Sequence, residues 1–222
     1  MGQRSLTVNA CNPDYRLSLQ VGQPSMDTSF NVERKSGLIL PARQCPSPNQ
    51  DERPAGAVPE LIVMHGISLP PGEFGGPEIE QFFMNCLDWD SHAYFDEIRN
   101  LKVSAHLLIR RCGELVQFVP FTRSAWHAGA SAFRDRTCCN DFSIGIELEG
   151  NDDAPYDDRQ YASLIASVAA LLHTYSTLST RRIVAHSDIA PGRKTDPGPA
   201  FDWLRLYDGL CHEQSRENSD SQ

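Results

Sequence analysis

The chain has 222 residues, 40% of them hydrophobic and 22% charged, close to the soluble globular average, which excludes collagen-like, coiled-coil and wholly disordered chains. Twenty Lys and Arg against 29 Asp and Glu leave a net charge of -9, which argues against a general nucleic-acid or anionic-membrane binder because both need basic surface. At a prior of roughly 150 residues per domain, the length suits one core with appendages.

No stretch approaches the ~20 apolar residues that cross a bilayer. The opening segment lacks the apolar run and small-residue cleavage site of a secretory signal, so a cytoplasmic location is expected. Cys11, Cys45, Cys86, Cys112, Cys138, Cys139 and Cys211 are unevenly spaced in a chain long enough to need no disulfide scaffold, and they read as reduced thiols.

In chain order, residues 1–57 show little apolar periodicity, and their second half is dense in Pro, Ser, Asn and Gly, the composition of loops. They read as a lead-in, with 1–36 as an irregular N-terminal extension. They hold six Lys and Arg against five Asp and Glu, so residues 58–222, with 14 against 24, carry the acidity. The body over 37–210 alternates short apolar strands with helices. Strands are predicted at Leu61 to His65, Ser104 to Arg110, Leu115 to Val119, Phe142 to Glu149 and Arg182 to Ser187. The 104–110 and 115–119 strands are joined by a tight Cys112-Gly113-Glu114 turn and should pair antiparallel. A helix over Pro77 to Cys86 gathers Ile79, Phe82, Phe83 and Cys86 on one face. A stronger one over Asp158 to Tyr175 gathers Tyr161, Leu164, Ile165, Val168, Leu172 and Tyr175, a face suited to a sheet. Residues 211–222 form a polar tail expected to fray. The predicted fold class is mixed α/β (α+β), a single domain with a central mixed β-sheet flanked by helices.

In the 142–149 strand, Phe142, Ile144, Ile146 and Leu148 point one way and Ser143, Gly145, Glu147 and Glu149 the other. By pattern alone a solvated polar face is the simpler reading and a cleft wall the alternative. The segment from Ile183 to Gly198 leaves a strand at His186 and enters a loop carrying Asp188, Arg193, Lys194 and Asp196. Imidazole with carboxylate suits zinc, and a catalytic zinc keeps three protein ligands and one open position. His186 and Asp196 are two candidates. His65, at the end of its own strand, converges with His186 if the two strands are neighbours running the same way. The plainer alternatives are a hydrogen-bonding strand-end histidine and an aspartate that opens a turn before Pro197. His106 and His127 are as open to structural roles, as satisfied core and loop histidines, as to functional ones.

These residues lie in blocks that resemble a known family. They are His65 with 67–76 (ISLPPGEFGG), 103–111 (VSAHLLIRR), 125–129 (AWHAG), 139–150 (CNDFSIGIELEG) and 188–203 (DIAPGRKTDPGPAFDW). Over about 37–207 the chain resembles the zinc-dependent N-acetylmuramoyl-L-alanine amidases, the group that includes phage lysozyme-type amidases and peptidoglycan recognition proteins, and within it those acting on 1,6-anhydro-muropeptides. The resemblance implies that His65, His186 and Asp196 hold Zn2+, that Glu147 handles the proton of the attacking water, and that Lys194 steadies charge on the amide oxygen. It further implies an anhydro-muropeptide as the partner, held by Gly66, Lys102, His127 and Ala128; no nucleic-acid or membrane partner and a monomeric state are expected beside it. Gly66, Lys102 and Cys138 depart from the Asn, Arg and Arg common there, which bears on substrate affinity rather than reaction type. Two rivals follow, an amidase of intact wall and a non-catalytic muropeptide-binding module. The complete set His65, His186, Asp196, Glu147 and Lys194 favours catalysis.

Overall fold

The computed structural model describes residues 30–40 and 42–220, so most of the 1–36 extension lies outside the described residues. The elements run β1 (Asn31–Glu33), β2 (Leu38–Leu40), β3 (Arg43–Gln44), β4 (Gln50–Glu52), β5 (Leu61–Ile67), α1 (Glu78–Phe83), α2 (Phe95–Ile98), β6 (Leu107–Ile109), β7 (Leu115–Gln117), β8 (Arg123–Ala125), β9 (Ala132–Phe133), β10 (Arg136–Thr137), β11 (Ser143–Glu149), α3 (Asp158–Thr174), β12 (Ile183–Ala185), α4 (His186–Ile189) and α5 (Trp203–Asp220). Six strands form the central sheet in the order β12-β5-β11-β6-β7-β3. Strand β5 is parallel to both β12 and β11, and β11 is parallel to β6. The β6–β7 pair is antiparallel, as the short turn predicts.

All seven residues of β11 are buried, so neither face of this central strand meets solvent. Its apolar side packs with Ile62, Met64, Leu107 and Ile109 against Tyr161, Leu164, Val168 and Leu171 of α3. The polar side is covered by other chain segments, which corrects the simpler solvated-face reading. In α3 the buried residue of the last turn is Leu171, whereas Leu172 is only partly buried. Ile165 and Leu172 look sideways toward α5, whose Leu206 and Leu210 complete the same core. Helix α5 extends through 211–220. Its signal is Trp203, Leu206, Tyr207 and Leu210 at spacings of three and four. The second side of the sheet carries Ile79, Phe82 and Phe83 of α1 with Phe95 and Ile98 of α2.

The start of α3 is fixed by a capping box. The Asp157 side chain accepts from Arg159 N, and Gln160 Oε1 accepts from Asp157 N at 3.0 Å. Gln160 is buried and donates from Nε2 to the carbonyls of Ile109 and Glu149, anchoring the helix to the ends of β6 and β11.

The lead-in proves to be part of the body. Strand β1, ahead of residue 37, pairs with β2, and β3 joins the edge of the central sheet. Apolar periodicity is weak there because side chains, rather than an apolar face, make the attachment. Ser47 Oγ and Asn49 Nδ2 donate to the Phe83 carbonyl. Arg53 donates to the carbonyls of Phe121, Asn140, Asp141 and Ser143. Burial of this guanidinium lowers its pKa to about 10.

Arg53→Ala therefore leaves several buried carbonyls unpaired, at a cost of about 2–4 kcal/mol. For a domain of this size the melting temperature should fall by roughly 5–15 °C. A calorimetric scan showing a fall of under about 2 °C would mean that water replaces the guanidinium.

Candidate metal centre

Strand register brings the candidate residues into a row. His65 stands opposite Glu147 in the β5–β11 pair, and Ala185 stands opposite Met64 in the β12–β5 pair. The next residue, His186, thus flanks His65 on the other side. Asp196 arrives from the loop after α4. Ser187 N donates to the Asp196 carbonyl, and the Tyr156 hydroxyl donates to the carbonyl of Pro197 at 3.0 Å. Asp188 faces away from this cluster. Its carboxylate accepts from Ala185 N at 2.8 Å, closing the first turn of α4.

The structure brings His65, His186 and Asp196 together as one group of possible metal ligands. His65 Nδ1 and His186 Nδ1 are 2.9 Å apart, and Asp196 Oδ2 lies 3.2 Å from the first and 3.0 Å from the second. Tetrahedral zinc with bonds of ~2.0–2.1 Å separates its ligand atoms by about 3.3 Å. Two imidazole nitrogens and a carboxylate oxygen, all electron-rich, converge here, and a cation between them relieves the repulsion. The donor set fits zinc, with one coordination position left for water.

Glu147 stands next to this group, with Oε1 3.9 Å from His65 Nδ1. It is 8% exposed, and its Oε2 has no hydrogen-bond partner. Burial, followed by repulsion from Asp196, pushes its pKa well above the ordinary carboxylate range, while the Lys194 charge opposes the rise. Glu149, two residues on, is different. It accepts from Gly75 N, Arg111 N and Arg110 Nη1, so it ties loops to the sheet. Of two carboxylates on one strand face, only one is left without a full set of donors. At Asp196 burial acts upward, but the flanking His186 and His65 rings outweigh it and hold the carboxyl well below the usual range. Burial pulls the His65 pKa down to about 4, keeping the ring neutral.

The remaining expected site residues fall in different places. Lys194 is exposed, on the loop that carries Asp196. Lys102 is also exposed. Gly66 is half-buried beneath Tyr156, whose hydroxyl would lie 2.4 Å from any Cβ there. His127 and Ala128 are buried, at 7% and 0% exposure. Both are expected at the substrate, and His127 lies beside His65, with its Nδ1 2.8 Å from His65 Nε2. His106 serves the core. It accepts from Gly145 N at Nδ1 and faces the Arg123 carbonyl with Nε2, and burial lowers its pKa to about 3. Cys45, Cys112, Cys138, Cys139 and Cys211 are free thiols.

Residues 55–199 match the N-acetylmuramoyl-L-alanine amidase family. The chain belongs to that family. It is 52% identical over 183 residues to the 1,6-anhydro-N-acetylmuramyl-L-alanine amidase AmpD of Enterobacter cloacae, covering 82% of this chain and 97% of the relative. Among solved structures, a selenomethionine AmpD derivative superposes with a TM-score of 0.78 at 51% identity, over 81% of this chain and 98% of that one. The Escherichia coli amidase AmiD, solved with anhydro-N-acetylmuramic acid-L-Ala-D-γ-Glu-L-Lys, superposes with a TM-score of 0.51 at 30% identity, over 82% of this chain and 65% of that one. The amidase fold of these neighbours is the mixed α/β architecture described above, with a central mixed sheet and flanking helices. No described helix is long and apolar enough to cross a membrane.

The buried neutral His106 has a pH consequence. Its folded pKa of about 3 lies below the unfolded value of about 6.5. As pH falls through this window the unfolded chain takes up the proton first, so stability is full above about pH 6.5 and declines toward pH 3. His106→Gln should flatten that decline by about 1.4 kcal/mol per pH unit in urea titrations of the metal-free chain. Equal pH slopes in the two proteins would show that His106 does not titrate in this way.

Proposed function

We propose that this chain hydrolyses the amide between the lactyl group of 1,6-anhydro-N-acetylmuramic acid and L-alanine in muropeptides, using a zinc ion held by His65, His186 and Asp196. The observation that carries the reading is the convergence of His65 Nδ1, His186 Nδ1 and Asp196 Oδ2 beside a buried carboxylate lacking a full set of donors. The name of the Enterobacter cloacae relative and the anhydro-muropeptide bound by AmiD support the substrate class.

A zinc ion in this donor set lowers the pKa of its water toward ~7 and polarises a carbonyl. The rest belongs to the chain. Glu147, with its carboxyl pKa raised by burial, is suited to take a proton from the attacking water and return it to the departing alanine amine. The ammonium of Lys194 neutralises charge that develops on the amide oxygen. The sheet behind the row keeps His65, His186 and Glu147 at fixed spacing, so little reorganisation is needed during the reaction. Gly66 and Lys102 are among the residues offered to the sugar and peptide. The same reading assigns the enzyme, as a monomer, to peptidoglycan recycling in the cytoplasm.

The test is mass spectrometry of the zinc-loaded chain with anhydro-N-acetylmuramyl-L-Ala-D-γ-Glu-meso-diaminopimelate, beside a chelated sample. Anhydro-sugar and free peptide should appear only with zinc. No cleavage by a chain shown to hold zinc would overturn the substrate assignment, and equal activity on intact sacculi would favour wall lysis. Glu147→Gln should retain the metal and lose about 10²–10⁴ in kcat. Undiminished kcat in that variant would remove Glu147 from proton transfer.

A further inference from the structure

We propose that the His127–Ala128 step sets the ring tautomers of both zinc histidines, so that each turns a bare Nδ1 toward the metal, and that His127 is a positioning residue. The proposal rests on the metal-binding reading of His65 and His186.

Hydrogen-bond direction carries the first arm. Ser143 Oγ lies 2.6 Å from the Cys139 carbonyl oxygen. A carbonyl can only accept, so the single hydroxyl proton of Ser143 is committed there. The same Oγ lies 3.0 Å from His127 Nε2 and must therefore accept from it. His127 thus carries its proton on Nε2 and has a lone pair on Nδ1. That lone pair is 2.8 Å from His65 Nε2, which must be the donor. With its proton on Nε2, neutral His65 has a bare Nδ1, the atom facing His186 and Asp196. If Ser143 donated to His127 instead, every proton in the chain would reverse and His65 Nδ1 would carry one.

The second arm starts one residue on. His186 Nε2 lies 3.3 Å from the Ala128 carbonyl, which again can only accept, so His186 is protonated on Nε2 and bare on Nδ1. The step that does both is itself held rigid. Asn140 Oδ1 accepts from the backbone N–H of His127 and of Ala128, at 3.2 and 2.8 Å. Arg193 also donates to the Ala128 carbonyl. On the sheet side the His127 ring lies directly on β11 at Gly145, where a Cβ would be 2.4 Å from the ring Cγ. Glycine at 145 is thus required by the close approach of this ring.

Partners of this outer kind are worth about 10–100-fold in metal affinity. The experiment measures zinc affinity of the full chain by competition with a chromophoric chelator, together with ¹⁵N NMR of the imidazoles in the zinc-loaded protein. His127→Leu and Gly145→Ala should weaken zinc binding by about 10–100-fold. His127→Gln should restore most of the loss, because the amide oxygen can accept from His65 while the amide nitrogen donates to Ser143. Ser143→Ala, a smaller change that tests the relay should a larger one prevent folding, should lower affinity and place part of the His127 proton on Nδ1. The native spectrum should show His127 protonated on Nε2, with a scalar coupling to His65 across the hydrogen bond. A native His127 protonated on Nδ1, leucine and alanine variants within about twofold of native affinity, or a glutamine variant no better than leucine would each overturn the relay. A native chain that takes up no zinc would overturn the metal reading as well, which separates the two failures.

Discussion

The parallel register of β12, β5 and β11 is the constraint on which the rest of the site depends. Parallel strands present equivalent residues at one edge of a sheet, and here His186, the residue just after β12, lines up with His65 of β5 and Glu147 of β11. A slip of one residue in β11 would send Glu147 into the apolar core against α3 and bring Ile146 or Leu148 to the site. The apolar face of the strand and the chemistry of its other face therefore enforce the same register. The loop from Ala190 to Gly198 then has only to deliver Asp196 to a position already defined by two imidazoles.

Burying so many polar groups beside a sheet carries a cost that hydrogen bonding must offset. The structure meets it almost everywhere. Glu149 has its three donors, Gln160 bridges two strand ends, and His106 is satisfied at both nitrogens. Beside the converging nitrogens and oxygen of the ligand group, Glu147 Oε2 is left without a partner, as Gln50 Oε1, Arg111 Nη1, Arg123 Nε and the Tyr175 hydroxyl are elsewhere among the described residues. An orphaned carboxylate oxygen and three mutually repelling donor atoms are unfavourable in a merely structural interior. In a hydrolase that handles a cation and a water they are the working parts.

The support behind the ligands comes from segments that look unremarkable in the sequence. Arg53 joins the loop before β5 to the carbonyls at the start of β11, including that of Ser143. The Asn140 side chain, in the turn just before β11, fastens residues 127 and 128. The N-terminal strands and the 126–142 segment thus hold the back of the site, while α3 and α5 hold the opposite face of the sheet. This division explains why a lead-in rich in Pro and Ser is inseparable from the body.

Much was legible in the one-dimensional chain because it rests on local rules. Period-two alternation located the strand at 142–149, period-3.6 spacing located α3, and the Cys112-Gly113-Glu114 turn implied the antiparallel β6–β7 pair. Residue chemistry alone nominated His65, His186 and Asp196, since few side chains suit zinc, whereas the role of Glu147 came only from the family resemblance. Helix α5 was readable at Trp203, Leu206, Tyr207 and Leu210, although its polar second half obscured it. What only the tertiary structure decided is which groups meet across 60 to 120 residues. That His127 stands beside His65, and that Glu147 rather than Glu149 is the carboxylate left without a full set of donors, depends on loops folding over a buried strand face. Spacing along the chain specifies a face for each residue. Packing alone determines what covers it.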